Sequence, residues 1–340
     1  YFLDMVQKQA KIILSENNLK NQGVIVHTTL DTKMQSKMTR LFSKEKSKSR
    51  NTVKKYYNHD VEMAAVTVSK DSGAIVAIQG GSSYKNTKYN RSLFTRRQIG
   101  ELFVPFIAAK ALESGYDLMD MPEKDFFEEN LTTIFESIMG VEDNTPLALT
   151  AELGMPSVLR LANNAGFNFN ENQIYNSLKS GEATPIQVSQ AYSIFFNKGY
   201  KVIPFCISKI TDLDGKIIYE HTKTRLPRIA SSETATTIRY ALQENFLKTI
   251  SPTSLQSNLA GKGAVTSDLQ NSWYVGGDDK YVTTLWMGSE KGRSIISLSK
   301  NDAHLLVVKK WYDIVQKINS NISKKSRKTS SPISVSSLPK

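Results

Sequence analysis

Residues 66–81 have the sequence VTVSKDSGAIVAIQGG, and this stretch decides the fold. Apolar residues over 62–69 and 74–79 alternate as they do in strands, and the turn Lys70-Asp71-Ser72-Gly73 lies between them. Asp and Gly are favoured in tight turns because they tolerate the backbone angles that such turns need. The stretch therefore predicts a β-hairpin, which ends at Gly80-Gly81.

Outward from this hairpin, apolar periodicity predicts a mixture of helices and strands. Helices are predicted over 1–16, from an N-cap at Asp31 to about Phe42, and over 101–114, 147–165, 185–197 and 301–318. Strands are predicted over 23–29, 272–276 and 281–287, and a second hairpin over 202–220. These elements follow no strict βαβ order. An α+β fold, with an antiparallel sheet covered by helices, is therefore favoured over a doubly wound parallel sheet.

The charge of the chain favours polyanionic surroundings. Its 340 residues are 40% hydrophobic, enough for a globular core, and 44 Lys and Arg against 32 Asp and Glu give a net charge of +12. Anionic lipid, anionic wall polymer and nucleic acid are all compatible with this charge. The chain has no zinc-finger spacing and no basic helix, so we expect no nucleic-acid partner.

Cysteine and histidine provide no metal or redox site. Cys206 is the only cysteine and lies in an apolar run, which is typical of a buried small side chain rather than a reactive thiol. The four histidines are scattered, so we expect no metal and no cofactor. No apolar run approaches the roughly 20 residues that span a bilayer. The chain begins inside an amphipathic segment without a start methionine, as a fragment of a longer protein would.

Several blocks of the sequence, in chain order, resemble the transpeptidase domain of class A penicillin-binding proteins. The blocks are 23–31 with Gln35, then 66–81, 89–91, 97–100, 184–199, 260–262, 273–276 and 286–288. The resemblance implies a penicillin-binding, serine β-lactamase-like fold over 61–320. It also implies a linker region with a helix, a strand and a helix over 1–60, and we expect a disordered basic tail over 321–340.

The first catalytic motif of that family, S-x-x-K, supplies a serine nucleophile and a lysine that accepts its proton. Glu101 and Val104 stand at these two positions. Glutamate has no hydroxyl nucleophile and valine cannot move a proton. A carboxylate near a helix N-terminus is favourable by about 0.3–1 kcal/mol, so a structural role explains Glu101.

The second and third motifs, S-x-N and K-T-G, are also altered. Glu152 and Gly154 take the places of serine and asparagine, so the hydroxyl relay and the substrate-holding amide are absent. Lys262 is retained, but Gly263 removes a hydroxyl and Ala264 adds a Cβ where glycine allows a close backbone approach.

The altered residues admit two arrangements. In one, Glu101 and Glu152 lie on either side of Lys262, near Thr266, and form an ionic cluster that fills the pocket and shifts a glutamate pKa or recruits a cation. In the other, the charged side chains are solvated and apart. S-x-x-K also occurs by chance at Ser43, Ser82, Ser297 and Ser337, and only Ser82 lies near the expected site, in a loop rather than at a helix start.

Together these features predict a domain without transpeptidase chemistry that acts as a scaffold or regulatory module in peptidoglycan synthesis. The resemblance implies an upstream glycosyltransferase domain, an N-terminal membrane anchor absent from this chain, and a place outside the cytoplasmic membrane among peptidoglycan, wall-synthesis proteins and anionic wall polymer. Two alternatives stay open: a D,D-transpeptidase that acylates another serine, and a peptidoglycan-binding module without chemistry.

Overall fold

The computed structural model describes residues 1–17, 23–48, 61–123, 130–141, 143–170, 181–222, 226–250, 258–289 and 299–326. The helices are α1 Phe2–Glu16, α2 Thr32–Lys48, α3 Arg91–Phe94, α4 Val104–Glu113, α5 Ile134–Ile138, α6 Thr145–Leu153, α7 Met155–Ala165, α8 Pro185–Phe196, α9 Ser232–Ile250 and α10 Lys300–Ser326, with a 3-10 turn at Gly100–Phe103. The strands are β1 Val24–Thr28, β2 Val61–Ser69, β3 Ile75–Gln79, β4 Arg97–Gln98, β5 Glu182–Ala183, β6 Ile207–Asp212, β7 Ile217–Glu220, β8 Ala260–Val265, β9 Asn271–Gly277 and β10 Tyr281–Ser289.

The central sheet has five antiparallel strands in the order β3-β2-β10-β9-β8. The predicted hairpin forms one side of it, with Val66 opposite Ile78, and β10 pairs with β2 along its whole length. Because the sheet is antiparallel and helices pack against it, the predicted α+β class is confirmed. The strand that carries Lys262, β8, lies at the opposite edge of the sheet from the hairpin.

Two hydrophobic cores lie on the two faces of this sheet. The larger core contains side chains of α1, α4, α7 and α8 together with Val66 and Ile78 of the hairpin. The smaller core contains residues of α2 and α10, including the fully buried Trp311, against Ala65 and Ala77. Alternate residues of one hairpin therefore enter both cores, which is why its apolar run is continuous.

The N-terminal region is built into this domain rather than standing apart as a linker. Phe2, Val6 and Ile13 of α1 are buried in the larger core. β1 pairs with β6 in a small sheet of order β1-β6-β7. Asp31 caps α2 as predicted, since its Oδ1 accepts hydrogen bonds from the backbone N–H of Lys33 and Met34.

The edge of β3 is covered by three residues from the block 23–31 with Gln35, namely Thr29, Asp31 and Gln35. The Gln35 amide accepts from the backbone N–H of Ile78 at 2.9 Å and donates to the carbonyl of the same residue at 3.0 Å. Thr29 Oγ1 donates to the Ile75 carbonyl, and the Asp31 N–H donates to that of Val76. These side-chain and backbone groups thus form hydrogen bonds with outward-facing N–H and C=O groups of β3. Without them, β3 would be an open sheet edge.

Several features differ from the sequence-based predictions. The helix predicted over 147–165 is two helices, α6 and α7, because Gly154 between them has a φ of +77°. Helix α9 was not predicted, although Thr234 N–H donates to a capping Ser231 hydroxyl and Ile238, Leu242 and Phe246 are buried at helical spacing. Alanines and threonines between these residues reduce the difference in hydrophobicity between the two faces of α9, so the helix has only a weak periodic signal in the sequence.

Helix α10 continues to Ser326, past the end predicted at 318 and past the predicted start of the tail at 321. The remaining predicted tail, 327–340, lies outside the described residues. Within the described ranges, we find no helix with both the length and the apolar character needed to cross a membrane.

Candidate functional site

A cavity of about 560 Å³ opens beside β8, the edge strand of the central sheet. One wall is β8 itself, over 262–265, and the opposite wall is the C-terminal part of α9, with Asn245, Lys248 and Thr249. The first turn of α10 and Glu101 of the 3-10 turn complete the lining, with Met139 and Gly140 after α5. The cavity therefore brings together Glu101, Val265 and the three residues of the third motif, which the sequence separates by some 160 positions.

Glu101 is held in an ion pair at this cavity. It lies in the first turn of the helical segment that continues into α4, and its Oε1 is 3.2 Å from Lys300 Nζ of α10. The side chains are 19% and 38% exposed, so the pair contributes roughly 0.2–1 kcal/mol. The carboxylate neither carries a nucleophilic hydroxyl nor stands free. The structural role predicted for Glu101 thus has a partner that the sequence did not reveal.

Val104, at the position of the family's lysine, is part of the hydrophobic core. It is 8% exposed and packs within the larger core with Phe103 and Ile107. No proton acceptor is present at this position. An ammonium there would have to be brought out of water into apolar packing, which disfavours the charged form.

Lys262 is buried, and its ammonium group caps the end of a short helix. The side chain is 1% exposed, and Nζ donates to the Ile138 carbonyl of α5 at 2.7 Å. Asn245 Nδ2 donates to the same carbonyl at 3.4 Å and to that of Met139 at 3.2 Å. These two side chains satisfy carbonyl groups that the last turn of a helix leaves without intrahelical partners.

His304 of α10 occupies the space beside Gly263. A Cβ at position 263 would collide with His304 Nε2 and would come within 3.1 Å of the Tyr274 ring. The pKa of His304 is lowered to about 4, chiefly by burial and also by the charges of Lys262 and Lys300, while Glu101 acts in the opposite direction. The imidazole is therefore neutral near pH 7. The glycine that replaces the family's threonine gives room for a side chain from another element.

Ala264 and Thr266 also have structural contacts. The Ala264 methyl faces Gly100, where an added Cβ would lie 3.6 Å away, so the 3-10 turn packs against the strand. Thr266 is 4% exposed; its hydroxyl donates to Asp268 and accepts from the backbone N–H of Asn271. It therefore fixes the turn between β8 and β9.

Glu152 lies away from this cavity, at the C-terminal end of α6. Its Oε2 accepts a hydrogen bond of 2.6 Å from the Tyr116 hydroxyl, and this bond raises the pKa of Tyr116 to about 12. Tyr116 follows the C-terminal end of α4, whereas Glu101 precedes its N-terminal end. Ten helical residues span about 15 Å, so α4 separates the two glutamates.

The ionic cluster of Glu101, Glu152 and Lys262 is therefore not the arrangement of the structure. Glu101 and Lys262 meet at one cavity, Thr266 holds a turn, and Glu152 bonds Tyr116. The backbone around Ile138, to which the sequence gave no role, stands next to Lys262 instead. Gly154 separates two helices and does not line the cavity.

The serines considered as replacements have other partners. Ser82 donates to Glu62, at the start of β2, on the opposite side of the sheet from β8. Ser43 donates to the Arg40 carbonyl. Ser297 and Ser337 lie outside the described residues. Among the described residues that line the cavity, Ser299 is the only serine, and its hydroxyl donates to Asp302 as the cap of α10.

Cys206 has the environment predicted for it. It is 1% exposed, its Sγ lies 2.8 Å from Gln9 Oε1, and burial raises the pKa of the thiol to about 11. The thiol is therefore protonated near neutral pH and is not poised for nucleophilic attack.

Among the lining residues that sequence reasoning missed are Asn245, Lys248, Lys300 and His304. The sequence offers a signal only for His304, because Gly263 leaves a space that a side chain from another element can fill. The other three belong to helices whose position on the sheet follows from packing between distant segments.

The arrangement defines a class of fold: a central antiparallel sheet with a cleft between its edge strand and a helix start, the architecture of penicillin-binding transpeptidase domains. PonA1 of Mycobacterium tuberculosis superposes with a TM-score of 0.77 at 17% identity, over 94% of this chain and 91% of that one. Penicillin-binding protein 1A of Haemophilus influenzae gives 0.74 at 18% identity, over 100% of this chain and 71% of that one. At these identities the likeness concerns the fold, and the predicted fold is confirmed.

The homologues of the chain are class A penicillin-binding proteins. Penicillin-binding protein 1B of Vibrio cholerae is 27% identical over 318 residues, which are 85% of this chain and 40% of that protein. Penicillin-binding protein 1A of Pseudomonas aeruginosa is 24% identical over 307 residues, 69% of this chain and 37% of that protein. The chain thus spans about 40% or less of the length of these relatives. No protein-family model matches it.

Proposed function

We propose that this domain has the transpeptidase fold without acyl-transfer chemistry and serves as a scaffold or regulatory module in peptidoglycan synthesis. One observation carries the proposal: where the fold presents its nucleophile, Glu101 is paired with Lys300, and Val104 is buried in place of the proton acceptor. Covalent catalysis needs both an activated nucleophile and a base within hydrogen-bond reach. Neither group is present at this helix start.

A second observation concerns the residues that remain at the third motif. His304 occupies the space beside Gly263, and Lys262 is bonded to the Ile138 carbonyl, so the remains of the third motif contribute to packing. These contacts support a fold that has been adapted to the loss of chemistry.

The place in the cell follows from the relatives and is part of the same proposal. Class A relatives suggest that the intact protein is anchored in the cytoplasmic membrane, exposes this domain outside it, and carries a glycosyltransferase domain upstream, so that the whole protein is an enzyme even though this domain is not. The chain spans only part of such relatives. Sequencing the residues that precede Tyr1 tests this part, because finding no glycosyltransferase domain there would remove it.

The loss of chemistry is tested with penicillin. PonA1 has been solved in complex with penicillin V, and penicillin-binding protein A of the same organism as a ceftriaxone acyl-enzyme. We expect the 340-residue chain to give no fluorescent penicillin label and no added mass in intact mass spectrometry, with PonA1 as the positive control. A stoichiometric β-lactam ester on this chain would overturn the proposal.

Variants separate the two halves of the lost reaction. Glu101→Ser returns a hydroxyl to the helix start without a proton acceptor, and we expect it to stay unlabelled. If the parent chain were labelled, Ser299→Ala and Ser82→Ala would locate the ester, since Ser299 lines the cavity and Ser82 does not. Label lost in Ser299→Ala alone would establish the alternative of an active enzyme with a different serine.

A further inference from the structure

Exposed aromatic side chains are concentrated beside α1. Among the described residues, four aromatic side chains are exposed, and three of them, Tyr84, Tyr89 and Phe94, lie within eleven positions of the chain. Lys8 and Ile12 of α1 are also exposed and lie one turn apart on the same side of the helix. We refer to these five residues as the aromatic surface. Exposed apolar side chains are usually scattered singly, whereas a contiguous group marks an interaction site.

Two cations hold the rings of this surface in place. The ring centroids of Tyr89 and Phe94 are 6.1 Å apart, and Lys8 Nζ lies 5.3 Å from the Phe94 centroid. The guanidinium of Arg91, which is buried, lies 5.9 Å from the Tyr89 ring. A cation is attracted to the negative face of an aromatic ring. Each ring therefore has a cation on one face, and the pair forms a platform with a fixed orientation.

The loop before this platform is ordered by hydrogen bonds. The Ser83 carbonyl accepts from the backbone N–H groups of Asn86 and Thr87. The Tyr1 hydroxyl of the α1 side donates to the Thr87 carbonyl at 2.9 Å. A surface that is already ordered loses little conformational entropy when a ligand binds.

The same loop adds positive charge. Lys85 and Lys88 are exposed on it, and within the described part of the chain neither ammonium group forms an ion pair. Lys8 of α1 brings a third ammonium group. The carboxylate of Asp4 accepts a hydrogen bond of 2.9 Å from the Tyr84 hydroxyl. Three exposed lysines thus accompany the rings, so a ligand can combine ring contacts with negative charge.

We propose that the aromatic surface binds an acidic polysaccharide, whose sugar rings stack on Tyr89 and Phe94 and whose acid groups meet the three lysines. The C–H groups of a sugar ring carry partial positive charge and pack against the negative face of an aromatic ring. Hydrogen bonds between ammonium and carboxylate groups are stronger than those between neutral groups. None of these residues lines the cavity beside β8, so the inference goes beyond the proposed function.

Two other occupants fit the same surface less well. A bilayer would have to take the Lys8 ammonium toward hydrocarbon together with the Phe94 ring, at a high desolvation cost. Single-stranded nucleic acid also stacks on aromatic rings, but its backbone is bound by a longer positive groove than three lysines provide. Both are therefore included in the test as competing ligands.

The test is isothermal titration calorimetry of the 340-residue chain with three tetramers. Cellotetrauronate has both sugar rings and carboxylates, cellotetraose only the rings, and tetraglutamate only the carboxylates. We expect saturable binding of one cellotetrauronate per chain, and at least about tenfold weaker binding of each of the other two. Binding of cellotetrauronate should weaken as salt is raised, because the lysines contribute to it.

Two aromatic variants provide the matched comparison. Phe94→Ala removes a ring that is 52% exposed, and we expect about tenfold weaker binding of cellotetrauronate, which corresponds to about 1.4 kcal/mol. Tyr240→Ala removes a ring that is 54% exposed and stacks on Phe135, on α9, and should leave the affinity unchanged. Equal thermal unfolding midpoints of Phe94→Ala and the parent will show that the fold is intact.

A pair of lysine variants tests the charge without touching the packing of the domain. Lys88→Gln removes an exposed ammonium group from the loop, and we expect about threefold weaker binding of cellotetrauronate with a smaller salt dependence. Lys309→Gln removes an exposed ammonium group from α10 and should change neither quantity.

Three outcomes of these titrations would overturn the inference: no saturable binding of cellotetrauronate, equal affinity in Phe94→Ala and the parent, or cellotetraose or tetraglutamate binding as tightly as cellotetrauronate. Vesicles of phosphatidylglycerol and octadeoxythymidylate serve as the competing ligands. If either bound more tightly than cellotetrauronate and lost affinity in Phe94→Ala, the surface would belong to a membrane or to nucleic acid, and the inference would fall. Acylation by penicillin would end the proposed function and leave this inference standing.

Discussion

The two edges of the central sheet have very different relations to the family that the chain resembles. At the β3 edge, Thr29, Asp31 and Gln35 stand where the family pattern has them and satisfy the outer groups of the strand. At the β8 edge, only Lys262 of the third motif remains, and its ammonium group caps a helix. The comparison teaches that side chains that close a sheet edge are required for the stability of the fold. Side chains that serve only the chemistry can be replaced without loss of the fold.

The loop after β3 belongs with the stable edge. Arg91 is buried and donates to the Gly80 carbonyl, and the Ser92 hydroxyl donates to the Gln79 carbonyl at 2.9 Å, with the Ala65 carbonyl 3.2 Å away. Asn90 caps α3. The NR dipeptide of the resemblance thus has a packing role that does not depend on a catalytic cleft.

The largest effect is expected in the turn of the decisive hairpin. Gly73 has a φ of +80°, and an added Cβ would collide with the backbone carbonyl of Ile203. Left-handed backbone costs about 1–2 kcal/mol for other residues, and the backbone collision adds to it. We expect Gly73→Ala to lower the free energy of unfolding in urea by about 3 kcal/mol or more.

Gly215, in the turn between β6 and β7, is the matched control for Gly73. Its φ is +89°, and nothing lies within 4 Å of an added Cβ. Gly215→Ala should therefore cost only about 1 kcal/mol, the conformational part. Equal costs at the two glycines would show that the contact with Ile203 does not hold the hairpin in place.

The next effect concerns the cover of the β3 edge. Gln35→Leu removes both hydrogen bonds to Ile78 and leaves a backbone donor and acceptor without this partner. We expect a loss of about 2 kcal/mol in urea unfolding. Gln7→Leu, an exposed change on α1, should stay within about 0.5 kcal/mol of the parent. A cost for Gln35→Leu no larger than that of the control would end the claim that this side chain closes the edge.

At the β8 edge, restoring the family's residue is expected to destabilise the fold. Gly263→Thr forces its side chain into His304 and toward Tyr274, and overpacking of this kind costs about 1–3 kcal/mol. His304→Ala should relieve about 1 kcal/mol of that cost, so a double-mutant cycle in urea will give a favourable coupling. Additive costs would mean that His304 does not fill the space beside Gly263.

The last effect is a pH dependence due to His304, which is small near neutral pH and grows toward pH 5. Its pKa is lowered from 6.5 to about 4 in the folded chain, so the unfolded chain binds the proton first as pH falls. Stability from this residue is full well above pH 6.5 and declines as pH falls from 6.5 to 4, by about 0.8 kcal/mol at pH 6 and about 2 kcal/mol at pH 5. His304→Gln should remove this part of the slope in urea unfolding measured from pH 7.5 to 5. An unchanged slope would show that His304 does not titrate in this way.

The sequence by itself determined the hairpin, the cap of α2 and the residue types at the motif positions. The hairpin over 66–81 follows from its turn residues, and the cap of α2 from the side-chain oxygen of Asp31. The burial of Cys206 follows from the apolar run around it. All three effects act over a few neighbouring residues. The absence of serine and lysine at 101 and 104 is a property of single positions, and the sequence states it directly. The break between α6 and α7 at Gly154 was harder to predict, because composition does not specify the backbone angle of a single residue.

Only the tertiary structure decided which charged groups meet. Glu101 pairs with Lys300 rather than lying in a cluster with Glu152, and Lys262 bonds a carbonyl 124 positions away. Such pairings depend on how helices α5, α9 and α10 pack on one strand edge, and packing is set by the shapes of many side chains at once. Local sequence patterns do not specify distances between remote residues. The cavity beside β8, with its three lysines, therefore could not be predicted before the fold was known.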